Sequence, residues 1–363
     1  MTDRSAMVER LRRPTMNDVA RVSGVSLKSV SRVINDEVGA SPDTRAKVLA
    51  AANRLGYRRN EAAHALRRSD GRSASIGLVL EDISNPFAAA LNRAVERVAG
   101  EQGSLVLAVS TNADPDREQY LVDRLLARAV DALLIMSCRQ DHHYLQPELD
   151  RGVPIIFIDR PPRQLACPTV RVANSRAAHD ATTHLIAQGH RRIAFLGDRP
   201  GLYTADERQR GYGRALQEAG LSADPDLSWR GPADPALAGA ALALMLELAD
   251  PPTAVFAATN MITVGVLLAL HSCRLQHAVA VVGFDELPLA TVVDPPLSVV
   301  NQDPEAIGRI AAQEIFRWLQ GSVPPRDVLV PVRFVSRGSG EIPGPGVGSV
   351  DDGDAGAAHL GNG

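Results

Sequence analysis

Between Ser26 and Asn35 the chain sets two long cations, Lys28 and Arg32, and one leucine, Leu27, off an apolar stripe of Val30, Val33 and Ile34. Four short polar side chains, Ser26, Ser29, Ser31 and Asn35, surround them. On a helix this arrangement suits recognition of a nucleic acid. Long side chains reach base edges in the major groove, while hydroxyls and amides hold the phosphate backbone. The competing reading is a small helical bundle with a solvated polar face. Serine is a poor helix former, so a serine-rich helix serves that purpose badly, and the DNA reading is preferred. Catalytic patterns are missing: there is no HExxH, no GxSxG and no phosphate-cradling GxxxxGK[ST]. The pairs His142-His143 and His179/His184 have no matching carboxylate or cysteine cluster, so neither an enzyme nor a metal or other cofactor is expected.

Three short helices must position that surface. Thr15-Met-Asn-Asp18 has the form of a capping box, followed by the stripe Met16, Val19 and Ala20. Gly24 supplies the positive φ of a sharp turn, and Ser26 caps the second helix. Ser41-Pro42 opens a third, whose apolar residues are Val48, Leu49, Ala52 and Leu55 and which Gly56 ends. Two helices joined by a glycine turn make a helix-turn-helix. Asn60 to Arg68 has helical potential but little apolar surface, too short to be stable alone.

The charge distribution agrees. The net charge is −3, but residues 1–72 hold 15 Lys and Arg against 8 Asp and Glu, leaving a basic head on an acidic body. The 363 residues allow two or three domains; with 45% hydrophobic and only 4% aromatic residues, aliphatic side chains must fill the core. The three cysteines are scattered and predict reduced thiols. Neither a secretory signal nor a membrane-length apolar run is evident, so a cytoplasmic protein without membrane contact is expected.

From Ile76 onward, the apolar runs IGLVL, SLVLAVS, DALLIMS and PIIFIDR alternate with helical stretches such as Asp116–Val130. The alternation resumes with RRIAFLG, PTAVFAAT and VAVVGFD. Continuous apolar runs between amphipathic helices indicate buried parallel strands, and two such sets predict two doubly wound α/β lobes with a ligand cleft between them. The predicted organisation is a flexible arm over 1–13, an all-α DNA-binding head over 14–58, a hinge helix and linker over 59–75, and a core over 76–337. Lobe 1 is expected over about 76–172 and 303–325, and lobe 2 over about 174–301 and 328–337. Crossings are placed near 172–174, 301–303 and 325–330. The Gly-, Pro- and Asp-rich end, 338–363, is predicted to be a disordered tail.

The segment from Thr15 to Arg67, and above all VSGVSLKSVSRVIN, resembles the head of the lactose/galactose-repressor (LacI/GalR) family. Ser29 departs mildly from the usual threonine but keeps the hydroxyl. The resemblance extends to about Arg337. It implies that Leu27, Lys28 and Arg32 read bases while Thr15, Ser26, Ser29, Ser31 and Asn35 hold the backbone. It also implies a hinge over Asn60–Arg68 that folds on operator DNA, with Leu66 wedged into the minor groove beside Asn60, Ala63 and Arg67.

The same resemblance implies a periplasmic-binding-protein type I core. Family positions are filled by Asp82 and Phe87 in EDISNPF, Asp159 and Arg160 in FIDR, Arg208 in ERQRGYGRAL, Asn260 in ATN and Asp285 in VGFDE. Arginine forks onto adjacent oxygens and aspartate accepts hydroxyl protons, which fits a sugar or polyol. Each of these residues is otherwise a surface ion pair or a helix cap. Ala88, Ala173, Asp234 and Met261 depart from residues common in relatives, which points to a smaller or more polar pocket. The expected protein is a transcriptional repressor under small-molecule control, a homodimer on a pseudo-palindromic double-stranded operator. A co-repressed or nucleoside-responsive regulator and a cytoplasmic solute-binding protein are the alternatives. The chain end has no leucine heptad, which favours a dimer over a coiled-coil tetramer.

Overall fold

The computed structural model describes residues 14–58 and 72–345. Two compact units divide between Ser73 and Ala74. The first contains helices α1 (Met16–Ser23), α2 (Leu27–Ile34) and α3 (Pro42–Leu55). Thr15 and Asp18 cap α1 reciprocally, and Gly24 ends it at φ 70°. Ser26 and Ser41 accept from the third backbone N–H of α2 and α3, and the eight-residue α2 would be marginal on propensity alone. A core of Val19, Val30, Val33, Val48, Ala51 and Ala52 joins the three. Leu49 does not belong to it: it is 45% exposed, because Val48, Ala51 and Ala52 form the buried face of α3.

The second unit has two six-stranded sheets. The first contains β1 (Ser75–Leu80), β2 (Leu105–Ser110), β3 (Ala132–Ile135), β4 (Ile155–Ile158), β5 (Thr169–Val172) and β11 (Val328–Val330), in the order β11-β5-β4-β3-β1-β2. The second contains β6 (Ile193–Gly197), β7 (Ser228–Arg230), β8 (Ala254–Ala257), β9 (Ala280–Phe284), β10 (Ser298–Gln302) and β12 (Val332–Val335), in the order β12-β10-β9-β8-β6-β7. All neighbours run parallel except β10 and β12. Helices cover both faces, so β3, β4, β6, β8 and β9 are buried throughout and read as unbroken apolar runs.

Around the first sheet lie α4 (Pro86–Glu101), α5 (Pro115–Leu126), the short α6 (Gln146–Asp150) and the late α11 (Pro304–Leu319). Around the second lie α7 (Asn174–Ala187), α8 (Tyr203–Glu218), α9 (Pro235–Leu246) and α10 (Asn260–Cys273). The chain passes between lobes at Ala173, at Asp303 and at Pro331. The last crossing corrects the expectation that 328–330 belongs to lobe 2. Val328–Val330 pairs in register with Val170–Val172 of the first sheet. Pro331, which has no N–H to donate, separates it from β12 in the second sheet.

The predicted disordered tail also needs correction at its start. Residues 338–345 pack onto the second lobe: Ser339 Oγ donates to Val281 O at 2.7 Å, Ser298 Oγ donates to Glu341 at 2.7 Å, and Gly344 N donates to Gln188 O at 2.7 Å. Composition misled because a strap of small residues fits closely against strands without forming a periodic element of its own. Residues 346–363, the arm 1–13 and the hinge segment 59–71 lie outside the described residues.

Candidate functional site

In the head unit, α2 turns Val30 and Val33 inward and leaves Lys28 and a 48%-exposed Leu27 at the surface, with Ser29, Ser31, Arg32 and Asn35 half-buried. The short polar groups organise one another: Ser26 Oγ lies 3.0 Å from Ser29 Oγ, and Asn35 Nδ2 donates to Ser31 Oγ at 3.2 Å. Thr15 Oγ1 donates to Asp18 Oδ2 at 2.7 Å, so its first task is capping. Three other cations of the head are neutralised locally, Arg21 by Asp18, Arg45 by Asp36 and Lys47 by Asp43. Lys28 and Arg32 have no such ion pair among the described residues. Asn60, Ala63, Leu66 and Arg67 lie outside those residues.

In the second unit, all seven residues expected at a ligand site, Asp82, Phe87, Asp159, Arg160, Arg208, Asn260 and Asp285, line one cleft between the lobes. Its empty volume, open mouth included, is about 580 Å³. Apart from Arg208, which lies on α8, the polar members follow the C-terminal ends of β1, β4, β8 and β9, where open α/β sheets place their ligands.

Arg208 is 4% exposed. Its Nε donates to Asn174 Oδ1 at 2.9 Å, its Nη1 donates to Ala258 O at 2.7 Å, and its guanidinium lies 3.6 Å from the ring centroid of Phe284. These contacts fix the plane and leave Nη2 without a hydrogen bond among the described residues, while burial draws its pKa below the ordinary arginine value. Asp159 and Asp285 both adopt a left-handed backbone, with φ 67° and 74°. Aspartate tolerates that region better than most residues, and such strain concentrates at functional sites. Burial pushes both carboxyls up, against the pull of Arg160 and Arg208 on Asp159 and of Arg208 and Gln302 on Asp285. Burial opposes the charge of Arg160, but Glu81 at 2.7 Å and Asp159 hold its pKa above the ordinary value.

Several lining residues were not anticipated. Glu81, adjacent to Asp82, reaches Arg160, whereas the Asp82 carboxylate accepts from Ser84 N and Oγ at 2.8 Å. Gln302 donates to Asp285 Oδ1 from the second crossing. Asp198, directly after β6, is buried and pushed up by that burial. Asn85 caps α4 and exchanges two bonds with Asn260 across the cleft, at 3.2 and 2.8 Å. A polar residue just past an apolar run was the available signal for Glu81 and Asp198. Asp234, considered for the pocket, instead caps α9 through Leu237 N at 3.0 Å, and Ala233 lines the cleft.

The lobes also touch through Gly201 and Tyr203. Gln140 Nε2 donates to Gly201 O at 2.7 Å, Arg163 Nη2 donates to the same oxygen at 3.2 Å, and Arg171 Nη1 donates to the Tyr203 hydroxyl at 3.0 Å. Asp159 Oδ1, Arg160 Nε and Gln302 Oε1 are buried with no hydrogen-bond partner. Such groups are costly to leave unpaired, and a bound polar ligand would satisfy them. Among the described residues there is no cluster able to hold a metal and no helix long and apolar enough to cross a membrane.

Comparison with known proteins agrees with this arrangement. Residues 15–60 match the family described as bacterial regulatory proteins, lacI family, and residues 73–338 match periplasmic binding proteins and sugar binding domain of LacI family. The chain is 33% identical over 314 residues to the HTH-type transcriptional regulator GalS of Salmonella typhimurium, covering 85% of this chain and 91% of that protein. A solved structure of a putative ribose operon repressor from Burkholderia thailandensis is 33% identical with a TM-score of 0.67, covering 73% of this chain and 99% of that one. A transcriptional regulator CelR–cellobiose complex is 29% identical with a TM-score of 0.66, covering 90% of this chain and 100% of that one.

Proposed function

The chain belongs to the LacI family of bacterial regulatory proteins, and from that premise we propose that it is a homodimeric repressor released from its operator by a sugar or related polyol. It is a DNA-binding transcriptional regulator and not an enzyme, with the domain architecture of its relatives. Acting on the chromosome, it works in the cytoplasm.

The observation that carries the effector reading is the convergence of Asp82, Phe87, Asp159, Arg160, Arg208, Asn260 and Asp285 on one cleft with unpaired buried polar atoms. Carboxylates there accept hydroxyl protons, and Arg208 donates to ring or hydroxyl oxygens. The ribose operon repressor and cellobiose complex among similar structures support a saccharide. On the DNA side, Leu27, Lys28 and Arg32 read bases, while Thr15, Ser26, Ser29, Ser31 and Asn35 fix the backbone. Asn60, Ala63, Leu66 and Arg67 form the hinge contact. The effector shifts operator affinity only by as much as it prefers one lobe arrangement over the other.

The test is a gel-shift series with the full chain on pseudo-palindromic fragments from its own upstream region, at moderate salt with competitor DNA. Sequence-specific shift, released by a sugar, is the expected result. Binding that does not discriminate among sequences overturns the reading.

A further inference from the structure

The charges lining the cleft do not balance. Five carboxylates, Glu81, Asp82, Asp159, Asp198 and Asp285, face two guanidinium groups, Arg160 and Arg208. Arg160 is committed to Glu81 at 2.7 Å, and Asp82 turns back to Ser84. Arg208 donates to Asn174 and to the Ala258 carbonyl rather than to any carboxylate.

That leaves three buried aspartates without a close ion pair. Asp198 accepts from Arg199 N at 2.7 Å, and no cation lies within ion-pair distance of it among the described residues. Asp285 accepts from Gln302 and from the Asn260 N–H, both neutral donors. Asp159 Oδ1 has no partner at all, and the nearest cation to its other oxygen is Arg160 Nε at 3.7 Å. Gln302 Oε1, also buried and unpartnered, is another acceptor. Buried charge without a counter-charge is unfavourable by several kcal/mol in general, so such a site favours a ligand that supplies it. The unmet demand is for hydrogen-bond donors and positive charge.

We propose that the effector is a hydroxylated amine, an amino sugar whose ammonium group sits against Asp198 and whose hydroxyls donate to Asp159 and Asp285. This rests on the sugar reading of the cleft and narrows it: neutral sugars bind more weakly, and phosphorylated or carboxylated sugars are repelled. One charge-assisted hydrogen bond in a buried site corresponds to a preference of about 10–100-fold.

Calorimetric titration of the full chain tests this with glucosamine, galactosamine and mannosamine. The comparison ligands are glucose, galactose and mannose, the N-acetylated amino sugars and the 6-phosphates. The expected result is tightest binding by an amino sugar, weakened by N-acetylation, which keeps the nitrogen but removes its charge. Asp198→Asn is expected to lower amino-sugar affinity by about 10-fold or more and that of the neutral parent by much less, so that the preference for the charged ligand is lost, with operator binding as the check on folding. Equal or tighter binding by a neutral parent overturns the charge inference while leaving the sugar reading intact. Tight binding by a phosphate overturns it as well. If no sugar of any charge binds, both the inference and the sugar reading fall.

Discussion

Gly211→Ala should damage the effector lobe well beyond what one methyl group implies. A Cβ at Gly211 would stand 2.1 Å from Ser175 O and 2.9 Å from His179 N, both backbone atoms of α7. Ordinary contact begins near 3.4 Å, so α8 must retreat from α7 by about 1.3 Å along the shorter line. No side-chain rotation relieves this, because backbone meets backbone. Arg208 lies one turn earlier on α8, and its 2.9 Å bond to Asn174 Oδ1 at the start of α7 spans that same interface. Overpacking of this kind costs about 1–3 kcal/mol. Weakening a buried charge-assisted hydrogen bond adds about 1.5–3 kcal/mol.

Taking about 3 kcal/mol as the working figure, the thermal midpoint of the core should fall by about 6–12 °C. Circular dichroism melts of the full chain measure it, with Gly213→Ala as control: no atom lies within 4 Å of a Cβ added there. The close approach of α7 and α8 would not be a constraint if Gly211→Ala melted with Gly213→Ala. Arg208→Lys separates the two contributions, since it keeps the helix contact and the charge but cannot reproduce the forked bonds to Asn174 and Ala258.

Three further outcomes are expected. Arg32→Ala should cost about 1–3 kcal/mol of operator affinity and relax sequence preference, while Lys47→Ala, already paired with Asp43, should stay within about 0.5 kcal/mol; anisotropy titrations measure both. Leu66→Ala should weaken specific binding much more than non-specific binding, and equal losses in competition assays would count against the hinge wedge. Burial alone would raise the Glu341 carboxyl, but Ser336, Ser298, the Gly338 N–H and His184 bring it below its ordinary 4.5. Its contribution is therefore present above pH 4.5 and lost as pH falls through the folded value, so the melting gap between wild type and Glu341→Gln should close in acid. Parallel curves from pH 6 to 3.5 would refute this.

The head was legible because its determinants are local. Thr15, Gly24, Ser26, Ser41 and Gly56 act within four residues of themselves, and the structure uses each as a cap or turn. Leu49 was misplaced because α3 packs through a narrower face than its apolar content indicates. In the core, Asp159 and Asp285 were found because they fill positions that the family resemblance marks, each just past an apolar run. Asn85 and Gln302 were not, since each matters through a partner far along the chain, Asn260 and Asp285 respectively. The strap at 338–345 was hidden for a related reason. Its order comes from hydrogen bonds to Ser298, Val281 and Gln188, and nothing in its own spacing announces them.

The two strained aspartates connect the fold to the proposed switch. The sheet orders correspond place by place, so β4 and β9 occupy equivalent positions, and each ends in an aspartate with positive φ. Bringing the lobes together therefore brings two like charges into one cleft, and Asp159 pushes Asp285 up in addition to burial. The amide exchange between Asn85 and Asn260 and the contacts to Gly201 hold the lobes against that repulsion. On the proposed reading, a ligand rich in donors would relieve that repulsion only when both lobes reach it at once, so its binding energy would be available mainly to the closed arrangement. That difference between arrangements is what a regulator needs to convert occupancy into a change in operator affinity. It also makes the acidity of the cleft part of the mechanism: neutralising Asp159 or Asp285 by amide substitution should favour closure without effector while weakening the response to it.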